Sequence, residues 1–147
     1  MNILLLHQYF LEEDGAGGAR FNEMTRIWTN KGQSVTVIAG MLPDHEGKKL
    51  PEYRGKKFFF RKYGLVNVYR CHISKYYNRN FFGRLLGYFS FCFYSLWCGL
   101  FKLKDKYGFI LVTSPPIFLG IVALTISKVR RIPLVFEVRD LWPESAI

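Results

Sequence analysis

The segment that most constrains this chain is its opening, MNILLLHQYFLEEDGAGGARFNEMTRIWTNKG. Ile3-Leu4-Leu5-Leu6 is a continuous apolar run, and a strand over Asn2–His7 built on it must be covered on both faces, as in a parallel sheet. A loop ending in Gly15-Ala16-Gly17-Gly18 follows and opens a helix to about Lys31. Phe21, Met24 and Trp28 fall on one face of that helix, and Gly32 stands where a C′ glycine ends it. Ser34–Ala39 is a second strand, rich in β-branched residues. Together these make a βαβ unit with a right-handed crossover. A helix N-terminus presents unpaired N–H groups and the positive end of the helix dipole, so the glycine segment is a place for a phosphate.

Beyond the second strand, Gly40–Tyr63 reads as loop, punctuated by Pro43, Gly47, Pro51 and Gly55. It ends in a basic run with aromatics, Arg54, Lys56, Lys57, Phe58, Phe59, Phe60, Arg61 and Lys62. A third strand over Leu65–His72 alternates weakly and is expected near a sheet edge. Asn80–Lys104 reads as one long helix, apolar nearly all round, with a small or polar strip through Arg84, Gly87, Ser95, Gly99 and Lys102. Its length raises a transmembrane span, but strands resume directly after it, which favours a buried crossover helix, either with one side at a bilayer interface or simply as part of the core. Phe109–Val112 is a fourth strand, and Ser114 followed by Pro115 is expected to cap a helix running to about Arg131. A fifth strand, Leu134–Val138, leads into Arg139-Asp140-Leu141-Trp142-Pro143-Glu144, where Pro143 and Glu144 look like a further helix start. The order is that of a doubly wound, Rossmann-like α/β fold with a parallel sheet, forming one domain over residues 1–147. Ligands of such sheets lie beyond the carboxyl ends of the strands, where the Gly15–Arg20 loop, Thr113–Pro116 and Arg139-Asp140 are expected to meet.

The formal charge of +10 favours anionic partners: nucleic acid, an anionic membrane, or phosphorylated small molecules. The three cysteines, Cys71, Cys92 and Cys98, have neither disulfide-framework nor zinc-site spacing, and reduced buried thiols are expected. The three histidines are scattered, so no metal cluster is expected. The opening residues read as lacking a signal peptide, since no basic segment precedes a run this short. A dinucleotide site fits poorly. Arg20 stands where GxGxxG needs its third glycine, the strand-to-glycine approach is long, and Ala39-Gly40 offers no acid to a ribose. A P-loop lacks its Gly-Lys-Ser/Thr.

Taken in order, His7-Gln8-Tyr9-Phe10, the Gly-Gly-Ala-Arg of the loop, Thr113-Ser114-Pro115-Pro116 and Phe136-Glu137-Val138-Arg139-Asp140-Leu141-Trp142-Pro143-Glu144 carry a resemblance. The chain resembles the N-terminal half of a GT-B glycosyltransferase of the family-4 type. It is most similar to bacterial enzymes that add N-acetylfucosamine-type sugars during capsule, O-antigen or colanic acid assembly. The resemblance implies a transferase domain on the acceptor side of a cleft, with the donor-binding half outside this chain and the chain alone inactive. It implies a nucleotide-sugar donor of UDP type, a polyprenyl-diphosphate-linked acceptor, no metal and no cofactor. It also implies a cytoplasmic location, peripheral at the inner membrane.

By the same resemblance, Gly15, Gly17 and Gly18 form the donor-phosphate loop, while Arg20 and Ser114 line the acceptor side or cleft. Many relatives place a histidine after strand five. Here Arg139 and Asp140 occupy that catalytic position, either binding a phosphate or sugar hydroxyl or forming an ion pair that fixes the loop. Arg54, Lys56, Lys57, Arg61, Lys62 and Arg84 are expected to contact an anionic membrane surface. The competing class is a non-enzymatic basic module binding membrane or nucleic acid. Nucleic acid is disfavoured, because no helix-turn-helix, RNP or zinc pattern is present.

Overall fold

The computed structural model describes residues 1–10, 19–41, 50–74, 76, 81–114 and 117–138. The strands are β1 (Asn2–Leu6), β2 (Ser34–Gly40), β3 (Phe58–Tyr63), β4 (Val66–Cys71), β5 (Phe109–Thr113) and β6 (Leu134–Glu137). The helices are α1 (Ala19–Asn30), α2 (Phe81–Trp97) and α3 (Leu119–Arg130), and a π turn over Cys98–Lys102 prolongs α2. The strands form one sheet in the order β3-β4-β2-β1-β5-β6, parallel throughout except that β3 runs antiparallel to β4. The chain is thus a mixed α/β protein with a mostly parallel, Rossmann-like sheet.

β1 lies at the centre, paired with β2 on one side and β5 on the other, which puts Leu4 between Thr36 and Ile110. Leu4, Leu5 and Leu6 are fully buried, as a strand covered on both faces must be. Ile3 and Leu5 join Phe21, Val35, Val37, Val68 and Leu111 under α1, with Met24 and Trp28 packed against them. Leu4 and Leu6 join Ile38, Cys71, Phe91, Cys98, Leu119 and Ile126 under α2 and α3. From β1 the chain winds outward to β2 and β4, then returns past β1 to β5 and β6. Right-handed crossovers made in opposite directions put α1 on one face and α3 on the other.

The end of α1 follows its sequence. Gly32 has φ +75°, its N–H bonds Thr29 O at 2.9 Å, and Gln33 N bonds Trp28 O at 3.0 Å. These are the two hydrogen bonds of a Schellman cap.

Three expectations need correction. Gly40–Tyr63 is not loop throughout, because Phe58–Tyr63 forms β3 after a short 3-10 turn at Pro51–Tyr53. Gly64, at φ +52°, makes the two-residue Gly64-Leu65 hairpin into β4. β4, the expected third strand, lies one place in from the edge, between β2 and β3, which agrees with its expected position near an edge; β3 is the edge itself. The sheet is therefore not wholly parallel. Finally, Ser114 is no helix cap. Its N–H extends the ladder to Glu137 O at 3.1 Å, and α3 begins only at Leu119.

The far end of α2 is held by one side chain. Arg130 donates from Nη1 to Gly99 O (2.8 Å) and Leu103 O (2.9 Å), and from Nη2 to Asp105 O (3.1 Å). A cation is thus placed on carbonyls that have no helical partner. Its neighbour Arg131 adopts the left-handed conformation at φ 55°, which costs a side chain about 1 kcal/mol or more and costs glycine little. Arg130→Met should lower the unfolding free energy by about 2 kcal/mol. Arg131→Gly should raise it by about 0.5–1 kcal/mol. Urea titration followed by circular dichroism checks both.

Candidate functional site at the carboxyl edge of the sheet

The direction of winding reverses between β1 and β5, and in open α/β sheets the crevice beyond that point is where ligands bind. All the parallel strands but β2 deliver polar residues to this edge: His7 and Gln8 follow β1, Arg70 is the last residue but one of β4, Thr113 ends β5 with Ser114 after it, and Glu137 ends β6. His7, Gln8, Arg70, Thr113 and Ser114 are all buried. An apolar sheet with this many sequestered polar groups at one edge is built for something other than stability alone, since each buried polar group needs a partner to offset its desolvation.

Alternation sorts these residues by face. Arg70 follows Val68, and Glu137 lies opposite Thr113, two positions beyond the Leu111–Val135 pair, so these residues project toward the α1 side. His7 lies there too, with its ring 4.4 Å from that of Phe21. Arg20, in the first turn of α1, reaches over this edge and donates Nη2 to Glu137 Oε1 at 2.5 Å. That ion pair joins residues 117 apart in sequence and ties the start of α1 to the end of β6. Both partners keep solvent contact, so the pair is worth less than about 1 kcal/mol to stability. Its consequence is positional: a guanidinium with further donors stands at a helix N-terminus.

Gln8 projects to the opposite face. A Cβ on Gly40 would stand 3.3 Å from Gln8 Cγ, and Gly40 N donates to Gln8 O at 2.9 Å. The Gln8 side chain is 0% exposed, and neither Oε1 nor Nε2 has a hydrogen-bond partner among the described residues. Arg70 Nη1 donates to Gly40 O at 2.9 Å, crossing from β4 to the end of β2.

Of the residues expected at the site, Arg20 and Ser114 are both at this edge. Gly15, Gly17, Gly18, Arg139 and Asp140 lie outside the described residues. Gln8, quoted only within the His7–Phe10 segment, and Arg70 were not named as site residues from the sequence. For Gln8 a signal existed, a polar pair directly after Ile-Leu-Leu-Leu; for Arg70 there was only an arginine at an inward position of a strand.

The residues expected to contact membrane do not form one set. Arg54, Lys56, Lys57, Lys62 and Arg84 are exposed. Arg61 pairs with Glu52 and, in register with Val68, faces the α1 side. Lys57 Nζ instead sits 5.5 Å from the Tyr94 ring, on the α2 side.

All three cysteines are free and buried. Burial raises the Cys92 thiol to about 11. Burial and the adjacent Cys98 thiol hold Cys71 protonated well above its ordinary range. Burial also raises the Tyr107 hydroxyl to about 12, although it bonds Thr36 Oγ1 at 3.2 Å. Among the described residues no cluster of His, Cys, Asp and Glu is arranged to hold a metal ion. No protein-family model matches the chain, and no curated protein matches it.

Two outcomes are expected. Gln8→Met removes two buried polar atoms that have no partner among the described residues, at similar volume, and should stabilise the fold by about 1–2 kcal/mol, read as a raised urea midpoint. The second concerns alkali. Above about pH 9 the unfolded chain releases the Cys92 and Tyr107 protons while the folded chain retains them, so unfolding is favoured as pH rises toward about 11 and 12. Stability should be flat with respect to these groups near neutrality and fall above pH 9, with Cys92→Ala reducing the slope.

Proposed function

We propose that this domain is the acceptor side of a GT-B glycosyltransferase, which moves a sugar from a UDP-type nucleotide-sugar to a polyprenyl-diphosphate-linked glycan in surface polysaccharide assembly. The observation that carries the reading is the convergence of the motif segments. His7–Phe10 and Thr113-Ser114 follow β1 and β5, and Glu137 ends β6, all at the carboxyl edge where Arg20 reaches across.

On this reading the edge recognises diphosphate. The N-terminus of α1 and the Arg20 guanidinium supply positive charge and N–H donors to an anion that grows more negative as the sugar leaves. Glu137 holds Arg20 in place and competes with an incoming phosphate for it. The Gly15–Gly18 loop and the Arg139-Asp140 pair are assigned to the donor diphosphate and the transferred sugar. The donor nucleotide is held by a second Rossmann-like domain, so residues 1–147 alone bind acceptor without turning it over.

The test is a titration of the chain with a short-chain prenyl-diphosphate N-acetylhexosamine in detergent, followed by calorimetry. Saturable binding is expected, weakened about tenfold by Arg20→Gln and strengthened by Glu137→Gln, since one charge-assisted hydrogen bond is worth about 1.5–3 kcal/mol. No binding, or binding indifferent to both substitutions, overturns the assignment. Steady turnover by the chain with a nucleotide-sugar and this acceptor overturns the division of labour.

A further inference from the structure

α2 is inside out. Its core-facing side is made of Gly83, Gly87, Phe91, Cys92, Ser95, Cys98 and Gly99, mostly small residues. Its solvent-facing side carries Phe82 (73% exposed), Leu86, Phe89, Phe93 (61%), Trp97 and, on the π turn, Phe101 (67%). A surface helix of a water-soluble protein has the reverse arrangement. Small residues toward the protein and bulky apolar residues outward is how helices are arranged in lipid.

The face continues onto α3. Phe118 meets Phe89 with ring centroids 5.2 Å apart, and Ile117, Ile121 and Leu124 are exposed beside them. At about 150–250 Å² per large side chain, the combined exposed surface is on the order of 1,000 Å², well above the few hundred usual for a monomer.

Charge is segregated onto the same part of the chain. From Tyr53 to Phe136 there are 15 of the 21 Lys and Arg but one of the 11 Asp and Glu, Asp105. That stretch is therefore +14, and the remainder, with 6 basic and 10 acidic residues, is −4. Lys102, Lys104, Lys128 and Arg131 are exposed where α2 and α3 end, and Arg84 is exposed near the start of α2.

We infer that the α2–α3 face docks in the plane of an anionic lipid bilayer, with Phe82, Leu86, Phe89, Phe93, Trp97 and Phe101 among the acyl chains and the lysines and arginines at the headgroups. The helix is long and apolar enough to cross a membrane. Crossing would, however, pull Phe91, Cys92 and Cys98 out of the core beneath the sheet, so the helix lies in the interface. A second copy of the chain is the poorer occupant, because Arg84, Lys102, Lys104, Lys128 and Arg131 border the face and two such borders repel. α2 runs back from the carboxyl end of β4 to the amino end of β5; Ser90 meets Ser74 just past β4, so the first turns of α2, with Phe81 and Phe82, project beyond the carboxyl edge of the sheet. Docking therefore brings that edge level with the bilayer surface, where a lipid-anchored molecule reaches it without leaving the membrane. The inference rests on α2, α3 and the charge distribution, and stands whether or not the domain transfers sugar.

The experiment is vesicle flotation of the full chain with phosphatidylcholine vesicles, with and without 30% phosphatidylglycerol, at low and high salt. Binding is expected to anionic vesicles and to weaken with salt. Phe82→Ser with Phe93→Ser should reduce it by about tenfold or more, because both side chains lose their apolar contact. Ile27→Ser, at an exposed site on the opposite face, should leave it unchanged. Bromine-labelled acyl chains should quench the native protein's fluorescence, and Trp97→Phe should remove that quenching, a readout that needs no disruptive variant. No flotation, flotation unaffected by the double substitution, or quenching unaffected by Trp97→Phe overturns the inference. So does a dimer in light scattering that the double substitution dissociates, which would make the face a self-interface.

Discussion

The structure depends on β1 being sequestered on both faces. A strand of consecutive leucines between two parallel neighbours can be stable only if helices cover both sides of the sheet, and that requires the chain to wind outward in one direction and then return in the other. The same strand, followed by His7 and Gln8, supplies the first polar residues at the edge where the winding reverses. Core and candidate site are consecutive segments of one strand. The leucines hold the sheet together, and the two residues after them are placed wherever the leucines put them.

Burial of polar groups at this edge is a cost that the rest of the fold carries. Gln8 is the clearest case, a fully buried amide with no hydrogen bond to the described residues. Arg70 and the Arg20–Glu137 pair are more ordinary in energy but hold positive charge at fixed places along the same rim. An edge designed for stability alone would be apolar or solvated. One designed to receive a polar ligand keeps donors and acceptors oriented before the ligand arrives.

β1, α1 and β2 were legible in the sequence because β1 and β2 are short apolar or β-branched runs bounded by polar residues or glycine, and α1 has one apolar face and ends on a glycine that the backbone requires. β3 was hidden for a physical reason. On an edge strand both faces tolerate aromatic and cationic residues, so Phe58 to Lys62 has no hydropathy alternation to read. For α2, apolarity all round gave the helix but not the arc that faces inward. The packing decided that, and it selected the glycines and serine against the sheet. Ser114 looked like a cap because Ser-Pro is a strong local signal, yet α3 begins only at Leu119, with Phe118 in the capping position. The Arg20–Glu137 pair joins residues too distant in sequence to be read from any local pattern. The glycine loop and the Arg139-Asp140 pair remain what the sequence makes of them.

The central claim is that one domain presents two functional surfaces side by side, a lipid-facing α2–α3 face and a diphosphate-binding carboxyl edge. Hydrogen–deuterium exchange on the full chain bound to anionic vesicles, with and without a prenyl diphosphate in the bilayer, tests it most directly. The expected result is added protection at the N-terminal turn of α1 and at the ends of β1, β5 and β6 only when the diphosphate lipid is present, with α2 and α3 equally protected in both. Diphosphate-dependent protection at the opposite, amino edge of the sheet, or none at all, would contradict it.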